Sequence, residues 1–227
     1  MQDEPDIFRK TIKSFVLRQG KMTKAQRRAL ETLMPKYVIP FEEQQLQLAT
    51  NTDTIIEIGF GNGEASWMIA KEHQNYEYIG IEVHKPGVAN LLMQLDKNNI
   101  NNLKIINHDA VEVLKFMIPD NSIAGFHIYF PDPWHKTRHH KRRLIKLDFI
   151  TVLVAKLKIG AYIHIATDWQ DYAIEVLNLL NSINQLKNCS QDNNFIEKPD
   201  FRPITKFELR GVNLKHQIYD LMYMKTI

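Results

Sequence analysis

Glu57-Ile58-Gly59-Phe60-Gly61-Asn62-Gly63 follows a short apolar run and leads into a helical pattern, and this strand–turn–helix stretch decides the fold. Glycines at such a turn permit positive φ and let the backbone approach a bound group beside a helix N-terminus. The spacing is G-x-G-x-G after an acid, not the G-x-G-x-x-G of dinucleotide-binding turns. Outward from it, apolar strand-like runs at 54–58, 76–82, 103–107, 123–130 and 161–167 alternate with helical patterns at 64–72, 87–96, 111–117, 142–157 and 169–182. Short, mostly apolar strands suit a parallel sheet covered on both faces. Five βα units in succession predict an α/β fold, a doubly wound and mostly parallel sheet with helices on both faces. Residues 217–224 return to alternation and predict a final strand, whereas 188–194 reads as a polar loop. Thr23 is placed to cap a helix that ends near Pro35. Residues 1–40 therefore read as a basic arm with freedom to move, and 41–227 as one domain.

On such a sheet, ligands bind outside the carboxyl ends of the strands, so the residue after each strand is the one to watch. Glu57 precedes the glycine turn. Glu82 ends the second strand, 19 residues beyond Gly63, where an ionised carboxylate accepts from ribose hydroxyls. Asp109 follows the third strand and is placed to accept from an adenine amine. Asp132 follows the fourth, framed by Pro131 and Pro133, which restrict the backbone and fix the direction of its carboxylate. Asp168 follows the fifth, either capping the helix that begins near Trp169 or facing a ligand. His135, His139 and His140 invite a metal reading, but the surrounding cations disfavour it, and no metal is expected. Trp67, Met68 and Ile69 read as core, while Trp134 and Trp169 either pack or stack on a base.

Charge is unevenly distributed. Eight Lys/Arg lie between Ile7 and Leu30 and six between Pro133 and Leu147; these blocks hold 14 of the 29 bases and none of the 26 acids. Two acid-free cationic blocks on an acidic body predict a polyanion-binding surface, and hence a nucleic-acid partner. The single cysteine, Cys189, excludes an internal disulfide and suits a reducing compartment. No apolar run approaches the ~20 residues of a membrane span, and the polar N-terminus is unlike a secretory signal. A soluble cytoplasmic protein without membrane contact or an evident obligate protein partner is the expectation.

Glu57 with its glycine turn resembles the cofactor turn of the Rossmann-like S-adenosylmethionine-dependent methyltransferases, in which the acid serves the amino-acid end of S-adenosyl-L-methionine. Pro131-Asp132-Pro133-Trp134-His135-Lys136, followed by Arg138-His139-His140-Lys141-Arg142-Arg143, is similar to a motif of the bacterial tRNA (guanine-N7)-methyltransferase family. Thr205-Lys206-Phe207-Glu208 with Arg210-Gly211 resembles that family's C-terminal signature, and Ser14 to Thr23 its N-terminal one; the matches run from about residue 13 to 224. The resemblance implies methyl transfer from S-adenosyl-L-methionine to N7 of a guanine in tRNA, at guanosine 46 of the variable loop. It places Glu57, Gly59, Gly61, Gly63, Glu82, Asp109 and Asp132 at cofactor positions, with Asp132 also the catalytic acid. Lys136, Asp168, Thr205, Lys206, Phe207 and Glu208 fall on substrate positions, and Thr137 through Arg143 on the RNA-contacting loop. The residues themselves leave other readings open. Glu208 is also placed to pair with Lys206 or Arg210. An amino-group nucleic-acid methyltransferase with a D-P-P-W-type turn, a nicotinamide-dependent oxidoreductase and an inactive tRNA-binding protein are the alternatives.

Overall fold

Thr23 and Gln26 form a reciprocal capping box, each side chain bonded to the other's backbone N–H, and open helix α1, Lys24–Tyr37. The computed structural model describes residues 13–15, 20–213 and 217–227; the side chains of Phe207, Arg210, Gly211 and Asn213 are outside that description. After α1 the chain alternates: β1 (Asp53–Ile58), α2 (Glu64–Glu72), β2 (Tyr76–Ile81), α3 (Lys85–Lys97), β3 (Leu103–Ile106), α4 (Ala110–Phe116) and β4 (Ile123–Tyr129). A 3-10 turn (Thr137–Arg142) comes next, then α5 (Leu147–Lys156), β5 (Leu157–Thr167), α6 (Gln170–Asn181), β6 (Leu186–Asn188), α7 (Lys206–Asn213) and β7 (Tyr219–Lys225).

The strands form one seven-stranded sheet in the order β3-β2-β1-β4-β5-β7-β6. β1 to β5 are parallel to one another, and β7 runs antiparallel between β5 and β6. Period-two alternation divides the strand side chains between two cores. Ile55, Tyr78 and Ile105 pack with α1, α2 and α3 on one face, and Ile56, Ile79 and Ile106 with α4, α5 and α6 on the other. Strand order reverses between β1 and β4, so the crevice at their carboxyl ends is the switch point.

Several expected boundaries move. Helix α1 continues through Pro35 to Tyr37 instead of stopping, because Tyr37 is fully buried and Val38 bridges Ile105 of β3, which holds the last turn in place. The expected break at residue 40 also moves: Gln26 donates to Asn90 of α3 at 3.1 Å, so α1 packs on the domain. The rest of the expected arm, residues 1–12 and 16–19, lies outside the described residues. Helix α5 begins at Leu147 and not at residue 142, since Arg143 and Ile145 are buried in extended chain and the Ile145 N–H donates to the Tyr172 hydroxyl. β5 starts at Leu157, directly off α5, four residues before the apolar run predicts. β6 and α7 have no counterpart among the predicted elements.

Candidate active site

The glycine turn has the backbone its sequence demands: Gly59, Gly61 and Gly63 have φ of 73°, 57° and 72°. A Cβ built on Gly59 or Gly61 meets no atom within 4 Å, so both face open space where a ligand can approach the backbone. Gly63 differs. Its Cβ would lie 2.8 Å from the Leu91 side chain, so this glycine is required by packing of the turn on α3, although it was expected among the cofactor residues.

Glu82 holds the turn together. Its Oε2 accepts from the Gly61 N–H at 2.8 Å and its Oε1 from the N–H groups of Val83 and His84 at 2.7 and 2.9 Å. Two carboxylate oxygens offer about four lone-pair sites, so capacity for a ribose hydroxyl remains. Asp109 caps α4 by accepting from the Val111 N–H at 3.0 Å. Beside it His108 stacks on Phe41 with ring centroids 3.7 Å apart. Glu57 is 6% exposed, and burial pushes its carboxyl up to about 7. No Lys or Arg among the described residues pairs with it. A buried carboxyl that borders an open cleft and lacks a cation fits a ligand that brings an ammonium group.

Two adjoining cavities lie over the switch point and share Gly59 and Phe130. One, of about 620 Å³, is bordered by Glu82, Asp109, Asp132 and Asp168. The other, of about 750 Å³, is bordered by Glu57, Gly61, Tyr129, Arg202, Thr205 and Lys206. The four acids of the first cavity come from the ends of β2, β3, β4 and β5, so the fold brings together residues far apart in sequence. The segment carrying Asp132 is strained at both sides, with positive φ at Phe130 (50°) and Trp134 (49°), a conformation costly for aromatic residues. Asp168 does not cap α6; the cap position is Trp169, whose N–H bonds the Thr167 hydroxyl. Trp169 meets His135 edge-on at 4.2 Å.

The basic loop divides in two. Lys136, Thr137, Arg138 and Lys141 are exposed; Arg142 is half-buried over the Trp134 ring at 5.3 Å, while His139 and His140 are half-buried. Burial first, then the cations Arg138, Arg142, Lys136 and Lys141, hold the His139 imidazole below its ordinary range. Arg143 does not fit its expected place in the RNA-contacting loop. It is 1% exposed, donates from Nε to the Pro133 carbonyl at 2.9 Å, pairs with Glu175 and lies 4.7 Å over the Tyr172 ring. It anchors the Asp132 turn from beneath, out of reach of a phosphate.

Thr205 and Lys206 reach the cleft, but Glu208 does not have the free carboxylate expected of a substrate contact. It is 4% exposed and takes a two-pronged bond from Arg202 at 2.7 and 3.0 Å; it does not pair with Lys206, and the side chain of Arg210 lies outside the described residues. Phe207 lies in α7, and its side chain is outside the described residues. Thr205-x-x-Glu208 is the signature of a helix start, and the Thr205 hydroxyl does accept from the Glu208 N–H at 3.2 Å. That signal is enough to find α7, but Thr205–Glu208 was expected as a substrate segment and not as a helix start. Nothing in the sequence pointed to Arg202, Tyr129, His164 or Asp220 as one network. Among the described residues no group of three or more His, Cys, Asp or Glu is arranged to hold a metal, and no helix is long and apolar enough to cross a membrane.

Residues 51–221 match a family model described as "Putative methyltransferase". The chain is 48% identical over 225 residues to a tRNA (guanine-N(7)-)-methyltransferase of Methylobacillus flagellatus, covering 97% of this chain and 94% of that one. It is 48% identical over 219 residues to the enzyme of the same name from Nitrosomonas eutropha, covering 95% and 97%. A crystal structure of a SAM-dependent methyltransferase from Aquifex aeolicus superposes with a TM-score of 0.53 at 15% identity over 78% of this chain and 85% of that one, a likeness of fold. With sequence agreement over nearly its whole length and an acid-lined cleft at the switch point of the matching fold, this chain belongs to the S-adenosylmethionine-dependent tRNA (guanine-N7)-methyltransferase family.

Proposed function

We propose that this chain transfers the methyl group of S-adenosyl-L-methionine to N7 of a guanine in tRNA, with guanosine 46 of the variable loop as the target. The observation that carries the reading is the convergence of Asp132 and Asp168 on the cavity that also holds Glu82 and Asp109. When bound, the cofactor supplies a sulfonium methyl that a nucleophile can take. Glu57 receives its ammonium, Gly59 and Gly61 let the backbone approach it, Glu82 accepts from its ribose and Asp109 from its adenine amine.

Guanine N7 carries an available lone pair, so no residue need remove a proton from it first. The work of the chain is alignment, which can supply roughly 7–11 kcal/mol of a barrier. Asp132 and Asp168 accept from the guanine N1–H and its amine and so orient the ring. Methylation places positive charge on the base, and the Asp132 carboxylate, held by its proline frame and by Arg143 beneath, stabilises that charge. Lys136, Thr205 and Lys206 complete the substrate contacts, with Phe207 beside them. Arg138, Lys141 and Arg142, with His139 and His140, meet the tRNA backbone. The lone Cys189 and the tRNA substrate support a cytoplasmic setting.

Incubation with tritiated S-adenosylmethionine and unmodified tRNA transcripts, followed by nucleoside mapping, tests the reading. N7-methylguanosine at position 46 is expected; label in DNA, at an amino group or at another nucleotide would refute it. Because phosphate contacts release counterions, tRNA affinity should fall steeply between about 50 and 200 mM salt, and a flat response would remove the electrostatic part.

A further inference from the structure

Among the described side chains of helix α7, burial falls on a charged residue and not on an apolar one. Of its side chains that the structure describes, Leu209 and Val212 are 48% and 49% exposed, Lys206 is exposed, and only Glu208 is buried. Ile204, just before the helix, is exposed as well. The anchor is Arg202, itself 1% exposed. Beyond its two bonds to Glu208, it donates from Nε and Nη2 to Asp220 of β7 at 2.8 and 2.9 Å. Asp220 also accepts from Nε2 of His164 in β5 at 2.8 Å, which leaves Nδ1 of that ring to accept from the Tyr129 hydroxyl of β4 at 3.1 Å. Burial opposes ionisation of Asp220, but the bonds from His164 and Arg202 prevail and hold its carboxyl below the ordinary range. A second tether runs from the Lys206 N–H to Glu64 at 2.9 Å, at the start of α2 beside the glycine turn.

A buried ionic network is a poor source of stability, since apolar residues of similar volume hold as well without the desolvation cost. What the forked guanidinium adds is direction, because it bonds two carboxylates in one planar geometry. Arg202 lines the cavity that contains Glu57, with Thr205 and Lys206 at the start of the helix that it holds.

We propose that Arg202 is a positioning residue for methyl transfer, clamping Glu208 and Asp220 so that α7 presents Thr205 and Lys206 to the Glu57 side of the cleft. The proposal rests on that cleft being the site of methyl transfer. It assigns Glu208 a role through Arg202, without contact to the substrate.

Arg202→Lys keeps the charge and loses the fork; Glu208→Gln keeps the shape and the Arg202–Asp220 pairing. For each, steady-state rates with varied tRNA, hydrogen exchange of residues 203–213 and urea unfolding are measured. The expected result is a loss of kcat/KM on the order of 100-fold, faster exchange confined to 203–213, and little change in the global midpoint. The double variant should be little worse than either single one, because both cut the same clamp. Should Arg202→Lys weaken the whole domain, Glu208→Gln carries the same test. Lost activity in Glu208→Gln with exchange of 203–213 unchanged would make Glu208 a direct contact and overturn the proposal. Normal activity with a loosened α7 would overturn it too. A wild-type enzyme that bound S-adenosylmethionine but methylated no tRNA would defeat the functional reading first and the proposal with it.

Discussion

Replacing Glu57 by Gln separates the cost of this buried carboxyl from its use. The group is raised from 4.5 to about 7 by burial. Between those values the native protein retains a proton that the unfolded chain has released, so stability falls as pH rises toward 7 and levels off above it. The loss amounts to about 3 kcal/mol once the carboxylate is fully ionised. The amide introduced by Glu57→Gln does not titrate, so the gap in unfolding free energy between variant and wild type should widen in the variant's favour by about that amount from pH 5 to pH 8. Urea denaturation at the two pH values, with equal m-values as the control, reads it directly. Cofactor binding should move in the opposite direction. An incoming ammonium favours the ionised carboxylate, so wild-type affinity for S-adenosylmethionine should weaken below pH 7 by up to about tenfold per pH unit. The variant should bind weakly at every pH and lose that dependence. If the two proteins differed by the same amount at pH 5 and pH 8, Glu57 would not be ionising inside the fold. If the variant kept wild-type affinity by calorimetry, the ammonium would have another partner.

Asp132→Asn should lower kcat by roughly 100-fold or more while both ligands bind nearly normally; single-turnover rates with bound tRNA check this, and near-normal turnover would remove Asp132 from the chemistry. Arg143→Gln leaves Glu175 and the Pro133 carbonyl without their partner; Glu175 is half-exposed, so the unfolding free energy should drop by about 1–3 kcal/mol, mainly for the unpaired carbonyl. The salt dependence of tRNA binding should barely change in that variant, whereas Lys141→Gln should lower the salt slope by about 1 without affecting stability. Gly63→Ala should cost more than about 1 kcal/mol in thermal unfolding, since it meets both positive φ and the Leu91 side chain; wild-type stability would contradict the packing role given to that glycine.

Hydrophobic periodicity was a sufficient guide to the βα alternation because each parallel strand is buried on both faces and each flanking helix on one. It was a poor guide wherever tertiary contacts override local preference. Pro35 reads as a helix stop, yet buried Tyr37 and the bridge from Val38 to Ile105 carry the helix past it. The basic run at 138–143 reads as one charged surface; only the fold shows that Arg143 turns inward onto Pro133 and Glu175. Helix α7 carries its own start signal in Thr205-x-x-Glu208, but at 8 residues it is too short for periodicity to mark it.

The sequence alone determined the strand–turn–helix unit at Glu57–Gly63 and the acids that end successive strands, because both depend on neighbours along the chain: positive φ at glycine, and the position just beyond an apolar run. Only the tertiary structure decided what those residues are free to do. A carboxylate is available to a ligand only if no closer partner has claimed it, and claims such as that of Arg202 on Glu208 come from another segment across a buried, low-dielectric interior. Asp132 reaches the cleft, and Glu57 borders it without a cation. Glu208 and Arg143 are already committed, for reasons that lie in contacts no local pattern encodes.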